Sequence, residues 1–109
     1  MNIDFSSLEE TVIPHMRDGE KEVRARMFSD GQCKILRGHL ISGASIGLHT
    51  HETSSEIIYI LSGTGRVLYD GACEALGPGS CHYCPKGHAH SLINDSDGGL
   101  DFFAVIPEQ

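Results

Sequence analysis

Short apolar runs alternate with turn residues along most of the chain, and this pattern predicts an all-β fold. Glycine, asparagine or aspartate separates the runs at intervals typical of a β-barrel or sandwich. We expect strands over residues 22–28, 33–41, 45–49, 56–61, 65–70, 80–84, 90–93 and 100–106. A short helical segment is expected earlier, over residues 6–12, where serine can cap a first turn that contains two glutamates.

Both faces of the predicted strand at 56–61 are apolar. If Glu56 points to the interior, the side chains two and four positions later follow it inward, and three apolar side chains point outward. The outward set is Ile57, Tyr59 and Leu61. A sheet face in water normally carries polar residues, so a second subunit is expected to cover this one. The pattern therefore predicts a homodimer.

Length and charge restrict the classes of function. The 109 residues suffice for one compact domain, which we expect to span residues 1–109. The chain has 8 basic and 15 acidic residues, and its formal net charge of −7 disfavours nucleic acid or an anionic membrane as a partner. The first residues show neither the basic nor the apolar segment of a secretory signal, so a cytoplasmic protein is expected.

The four cysteines leave several interpretations open. Cys81 and Cys84 form a Cys-x-x-Cys segment, which occurs in redox pairs and in halves of zinc sites. Structural zinc sites usually need a second such pair, and this chain has one. We expect reduced thiols packed as small apolar side chains, and the role of Cys81 and Cys84 stays open.

Three side chains that commonly bind metals lie within eight positions of one another. His49 and His51 are separated by one residue, so both point to the same face of a strand. Glu56 stands where the next predicted strand begins and can face the same ion. About thirty residues later, His90 can supply a fourth ligand. This spacing predicts a four-ligand metal site built on strands.

The spacing of these residues and of the glycines around them resembles the two motifs of the cupin superfamily. The residues that match the first motif, over 43–63, are Gly43, His49, His51, Glu56 and Gly63. The residues that match the second, over 79–94, are Gly79, Pro85, Gly87, His90 and Asn94. Within this superfamily the chain is similar to the small single-domain cupin 2 type. This resemblance implies a jelly-roll β-barrel with one divalent metal. The ligands it implies are His49, His51, Glu56 and His90.

The motifs leave the metal and the reaction open. Iron, manganese, zinc, nickel, cobalt and copper all accept imidazole together with carboxylate ligands. Cupins include dioxygenases, decarboxylases, isomerases, lyases, sensors and storage proteins, so the resemblance implies no single activity. We expect a metal-dependent enzyme that acts on a small organic ligand, with dioxygenase-type chemistry favoured. The alternatives are a non-catalytic ligand-binding or sensing protein, a sugar-phosphate isomerase or lyase, and a purely structural metal.

Residues outside the motifs are expected to shape the cavity. The expected lining residues are Met27, Ile58, Leu92 and Phe103. His39, on the predicted strand 33–41, is expected to act as an acid or base beside the metal ligands. His82 is expected to be a packed or solvated side chain whose removal leaves metal binding unchanged.

Overall fold

Two antiparallel sheets, in a computed structural model that describes all 109 residues, make up the fold. The strands are β1 (Thr11–Pro14), β2 (Glu22–Ser29), β3 (Cys33–Leu40), β4 (His49–Thr50), β5 (Glu56–Ser62), β6 (Gly65–Tyr69), β7 (Ala72–Leu76), β8 (Cys81–Cys84), β9 (Ala89–Ile93) and β10 (Leu100–Pro107). The larger sheet has the order β1-β2-β3-β10-β5-β8, and the smaller has the order β4-β9-β6-β7. The expected all-β fold is confirmed.

Side-chain alternation gives each strand of the larger sheet an inner and an outer face. On β5, Ile58 and Ile60 are buried at 1% and 0% exposure, whereas Ile57, Tyr59 and Leu61 are 39–42% exposed. The inner side chains join buried residues of the smaller sheet in one apolar core. Their removal from water provides most of the stabilisation of a fold of this kind. The expected orientation of the β5 side chains is confirmed.

The beginning of the chain differs from expectation. The helix expected over residues 6–12 is wrong, because only a 3₁₀ turn forms, Phe5–Ser7, and β1 follows it. Asp4 caps this turn by accepting a hydrogen bond from the Ser6 amide. Pro14 favours extended backbone at the preceding residue, which suits a strand rather than a helix. A second 3₁₀ turn covers Met16–Asp18, and the structure contains no helix long and apolar enough to cross a membrane.

Two further elements differ from the predicted strands. The strand expected over 45–49 is reduced to an isolated bridge at Ser45 and the two residues of β4, His49–Thr50. Strand β7, Ala72–Leu76, lies at the edge of the smaller sheet and was not predicted. Four of its five residues are exposed, so it lacks the alternation of apolar and polar positions from which a strand is recognised.

One buried amide ties the end of β3 to the loop before β10. Asn94 is fully buried, and its Nδ2 donates to the carbonyl oxygens of Leu40, Ile41 and Gly98 at 2.8–3.1 Å. Its Oδ1 accepts a hydrogen bond from the Ser96 amide at 3.0 Å. A buried amide with these partners stabilises the loop, because an unpaired one would be costly. Asn94 of the second motif thus has a structural role.

Two leucines that differ in burial provide a test of the core. Leu40 is 0% exposed and Leu48 is 65% exposed. We expect Leu40→Ala to lower the free energy of unfolding by about 2–5 kcal/mol, since it leaves a cavity in the core. Leu48→Ala should change it by about 0.5 kcal/mol or less. Chemical denaturation of metal-free protein measures both values, and equal losses would contradict the assigned core.

Candidate metal centre

Four side chains meet in the barrel interior; three of them are close in the sequence and the fourth is distant. His49 on β4 stands directly opposite His90 on β9, His51 follows β4, and Glu56 begins β5. The Nε2 atom of His51 lies 3.2 Å from His49 Nε2, 3.0 Å from His90 Nε2 and 2.9 Å from Glu56 Oε1. The four ligand atoms all lie within 4.8 Å of one another. Strand pairing therefore brings together the residues that the motifs single out.

The ring nitrogens that face away from this centre have partners of their own. His49 Nδ1 lies 2.7 Å from the carbonyl oxygen of Gly47, which can only accept, so Nδ1 carries the hydrogen. His51 Nδ1 lies 3.0 Å from Ser54 Oγ. Such contacts select the tautomer in which Nε2 keeps a free lone pair. His49 therefore directs an electron pair to the centre, and the Ser54 hydroxyl can support the same arrangement at His51.

The outer nitrogen of His90 contacts a fourth imidazole. His90 Nδ1 lies 2.9 Å from His82 Nε2, and the two residues are 1% and 5% exposed. His82 lies on β8 and points to the barrel interior with Cys84. Sequence reasoning assigned no role to His82. Its position beside a candidate ligand follows from the packing of β8 near β9, which the local pattern does not reveal.

The spacing of the four ligand atoms fits a single cation. Two atoms bound about 2.1 Å from one ion at right angles lie about 3.0 Å apart. Four of the six separations among the ligand atoms are 2.9–3.2 Å, and the other two are no more than 4.8 Å. Lone pairs and a carboxylate at this spacing repel each other unless positive charge lies between them. The mixture of imidazole and carboxylate suits a divalent transition metal.

Burial and mutual contact perturb the pKa values of the centre. Burial by itself would raise the pKa of Glu56, but hydrogen bonds and charge from His51 and His90, in the forms that carry hydrogen on Nε2, outweigh it and lower the pKa to about 2. Burial lowers the pKa of His49, so its ring is neutral under conditions in which an exposed histidine begins to protonate. A charged carboxylate and neutral imidazoles are the forms that bind metal.

A cavity of about 80 Å³ opens beside the centre and is lined by His49, His51 and Glu56. Most of its wall is apolar, with 9 hydrophobic residues among 14. Two cationic residues, Arg17 and Lys34, complete the wall. The wall of this chamber therefore combines a low-polarity lining, two cationic residues and three of the candidate ligands.

The expected lining residues are only partly those of the cavity. Met27 lines it, and Phe102 does so in place of Phe103. Phe103 points to the outer face of β10 and packs edge-on against Phe5, with ring centroids 6.1 Å apart. Because the two phenylalanines are adjacent on a strand, only one can point inward, and their identity does not indicate which. Two other expected residues are buried in the core and do not line the cavity: Ile58 and Leu92.

His39 lies on the outside of the barrel and not beside the metal ligands. Its Nδ1 is 2.9 Å from Asp101 Oδ1, and the side chain is 37% exposed. Leu40 and Leu36 point inward from the same strand, so alternation places His39 on the opposite face. The expectation that His39 acts on a ligand in the cavity is therefore wrong.

Arg17 was missed by sequence reasoning, and an unusual backbone conformation places it. Its φ of 56° is left-handed, which is uncommon for arginine. The Gly47 amide donates to the Met16 carbonyl at 3.0 Å, and a Cβ at Gly47 would lie 1.8 Å from the Arg17 carbonyl oxygen. The 3₁₀ turn therefore packs directly on the backbone that leads into His49. Only a glycine at position 47 permits this approach.

The Cys-x-x-Cys segment cannot act as a pair. Cys81 is exposed and Cys84 is buried, because residues three positions apart on β8 point to opposite faces. All four cysteines are free. Burial raises the pKa of Cys84 to about 11, so its sulfur is held as an unreactive thiol.

A family model for the cupin domain matches residues 37–106, which is more than half of the chain. The chain belongs to the cupin family. This cupin is 32% identical to an oxalate-binding protein of Thermotoga maritima, over 97% of its own length and 93% of that protein. The resemblance in sequence extends over nearly the whole chain.

Solved structures share the same fold. A crystal structure from Thermotoga maritima, described as a predicted oxalate decarboxylase, has a TM-score of 0.93 and 30% identity, with 100% of both chains covered. A cupin sugar phosphate isomerase from Silicibacter pomeroyi has a TM-score of 0.79 and 22% identity, over 100% of this cupin and 76% of that chain. The second likeness concerns the fold alone.

Acid should release metal from this centre. Ligation needs neutral imidazole, and burial lowers the pKa of His49, so its nitrogen stays available to lower pH than in an exposed histidine. The Glu56 carboxylate, with a pKa of about 2, remains charged throughout. We expect occupancy to fall between about pH 6 and pH 4 as the histidines protonate.

Elemental analysis after dialysis at a series of pH values from about 8 to 4 measures this loss. As a control, His49→Ala should already hold less metal at about pH 8. Metal content that stays constant over the whole range would contradict the assignment of His49 as a ligand.

Proposed function

We propose that this cupin binds one divalent transition metal and, beside it, a small dicarboxylate such as oxalate. The proposed metal ligands are His49, His51, Glu56 and His90. The observation that carries the proposal is the chamber that joins three of these residues to two cationic side chains. The similarity to an oxalate-binding protein along 97% of the chain supports the choice of ligand.

The size of the chamber suits a ligand of very few atoms. A cavity needs about 10–15 Å³ to hold one water-sized group. A cavity of about 80 Å³ therefore holds roughly five to eight such groups. Oxalate has six non-hydrogen atoms. A larger substrate, such as a sugar phosphate, would need the cavity to widen.

The charges of the chamber also favour an anion. The chain as a whole carries a formal charge of −7 and repels anions at long range. Arg17 and Lys34 reverse this sign locally, and the apolar lining strengthens their attraction for carboxylate oxygens. A bound divalent metal would add positive charge and open coordination positions for the same oxygens. Arg17 can hold one carboxylate through two parallel hydrogen bonds.

Reversible binding is favoured over turnover. Glu56 is the one carboxyl group that lines the chamber, and it is a proposed metal ligand. Loss of carbon dioxide from oxalate requires a proton for the carbon that is left behind. Apart from the proposed ligands, the ionisable side chains there are Arg17 and Lys34, and guanidinium and ammonium groups are much weaker acids than a carboxylic acid. A decarboxylase is the second candidate, since the structure with 30% identity is described as one. Dioxygenase chemistry stays a prediction from the sequence.

We also propose that the outer face of the larger sheet joins two copies of this cupin. An uninterrupted row of apolar side chains crosses five strands of this face. The row, in order across the sheet, is Phe28, Ile35, Val105, Ile57 and Tyr83. Six strands about 4.8 Å apart and four to eight residues long give a face of roughly 600 Å². A stable dimer buries about 800 Å² on each partner.

Oxalate binding should depend on the metal and on Arg17. Isothermal titration of the manganese-loaded protein with oxalate is expected to show binding that the metal-free protein lacks. Arg17→Asn keeps a residue that tolerates the left-handed backbone and removes the charge. The loss of a charged hydrogen-bonding group should weaken oxalate binding about 10- to 100-fold.

The control for this titration is Lys86→Gln, which removes an exposed cation that does not line the chamber and should leave the affinity unchanged. Equal affinity for oxalate with and without metal would contradict the proposal. Assay of formate and carbon dioxide in the same samples separates the two candidates, because only a decarboxylase releases them.

Sedimentation tests the proposed dimer. We expect a species of twice 11.8 kDa at micromolar concentration, and Ile57→Lys should shift it to the monomer because it places a charge in the apolar row. Leu48→Lys is the matched control, since Leu48 is exposed but lies outside the larger sheet. A single species of 11.8 kDa for the unchanged protein would refute the dimer.

A further inference from the structure

A buried hydrogen bond links the proposed metal ligand His90 to a histidine outside the ligand set. His82 Nε2 lies 2.9 Å from His90 Nδ1, and both side chains are removed from solvent. The rings are tilted by 32° with centroids 5.2 Å apart, so they meet through their nitrogens and not by stacking. We propose that His82 is a positioning residue that sets the tautomer and orientation of His90.

The direction of this hydrogen bond follows from the centre. If His90 Nε2 offers its lone pair to a metal, Nδ1 must carry the ring hydrogen and donate it. His82 Nε2 then accepts, which requires His82 to carry its own hydrogen on Nδ1. One hydrogen bond thus determines the tautomers of two buried imidazoles. A His90 ring with the hydrogen on Nε2 could not bind metal.

The other two proposed histidine ligands also have a hydrogen-bond partner at Nδ1, but in neither case is it an imidazole. His49 uses the carbonyl oxygen of Gly47, and His51 uses the hydroxyl of Ser54. No backbone oxygen or hydroxyl contacts His90 Nδ1, so its hydrogen-bond partner is His82. Because the atom is buried, loss of this partner leaves an N–H group unpaired. The His90 ring can then rotate, or change tautomer, to avoid this unpaired N–H group.

The packing around His82 supports a fixed position. Tyr69 meets the His82 ring edge-on, with centroids 5.4 Å apart and an interplanar angle of 74°. On β8 the residue stands opposite Ile58, whose side chain is 1% exposed. A ring held between an aromatic and a core side chain presents its nitrogen to His90 in one orientation. This role rests on the proposed metal site and adds a fifth residue on which its geometry depends.

Two substitutions separate positioning from packing. His82→Leu fills much of the space but cannot accept a hydrogen bond, whereas the Oε1 of His82→Gln can stand close to the position of Nε2 and accept one. We expect His82→Leu to weaken cobalt(II) binding about 10- to 100-fold, measured by competition with a chelator. His82→Gln should restore most of the affinity. His39→Gln, on the outer face, is the control and should bind as the unchanged protein does.

Proton NMR of the cobalt-loaded protein supplies a readout that packing alone would not move. Ring N–H protons of metal-bound histidines shift strongly, and the His90 N–H is expected to exchange slowly with water in the unchanged protein. Fast exchange of that proton there would overturn the proposal, even if His82→Leu failed to fold. In His82→Gln the slow exchange should persist.

The outcomes also distinguish this inference from the metal site on which it rests. Failure of the unchanged protein to bind cobalt would refute the metal site itself. Binding by the unchanged protein together with equal binding by His82→Leu would refute only the role of His82. Two cobalt ions per chain would refute it as well, because His82, Cys84 and His90 would then form a second site.

Discussion

The repulsion among electron pairs that share one buried centre is the constraint on which this structure depends. His51 Nε2 lies within 3.2 Å of two other imidazole nitrogens and of the Glu56 carboxylate, in a region that water reaches poorly. Without positive charge between them, such groups would separate or take up protons. Strand pairing, the partners at the outer nitrogens and the tight turns before His49 all oppose that separation. The barrel therefore holds the ligand atoms at spacings that suit an ion.

Backbone packing beside this centre also makes the fold depart from ordinary local preferences. The turn at Met16–Asp18 holds Arg17 in a left-handed conformation that an arginine seldom adopts. It is kept there by backbone contacts with Gly47, and Gly47 also accepts from His49. One short segment thus connects a residue of the cavity wall to the ring orientation of a candidate ligand. A local conformation that costs energy persists because the surrounding contacts require it.

The sequence predicts most of this fold and the four converging residues, since both depend on spacing along the chain. Glycine punctuation marks the turns, and alternation correctly orients β5. The features that the sequence does not predict depend on contacts between distant segments. Phe102 and Phe103 are chemically identical neighbours, and only the register of β10 decides which one faces the cavity. The outward position of His39 and the contact between His82 and His90 are missed for the same reason, because each depends on how distant strands pair and pack. The helix expected at 6–12 fails because pairing with β2 outweighs a weak local preference.

Because side chains alternate along a strand, one strand contributes residues both to the barrel interior and to its outer face. On β10, Phe102 contributes to the chamber while Val105 belongs to the outer apolar row. On β5, Glu56 reaches the centre and Ile57 points away from it. A substitution can therefore alter assembly without touching the ligand atoms, and the reverse also holds. Proteins with this fold can keep the same sheet while their inward side chains differ, and the lining of the cavity then differs with them. The two faces of the larger sheet can therefore vary separately, because alternate side chains of each strand point to the barrel interior and to its outside.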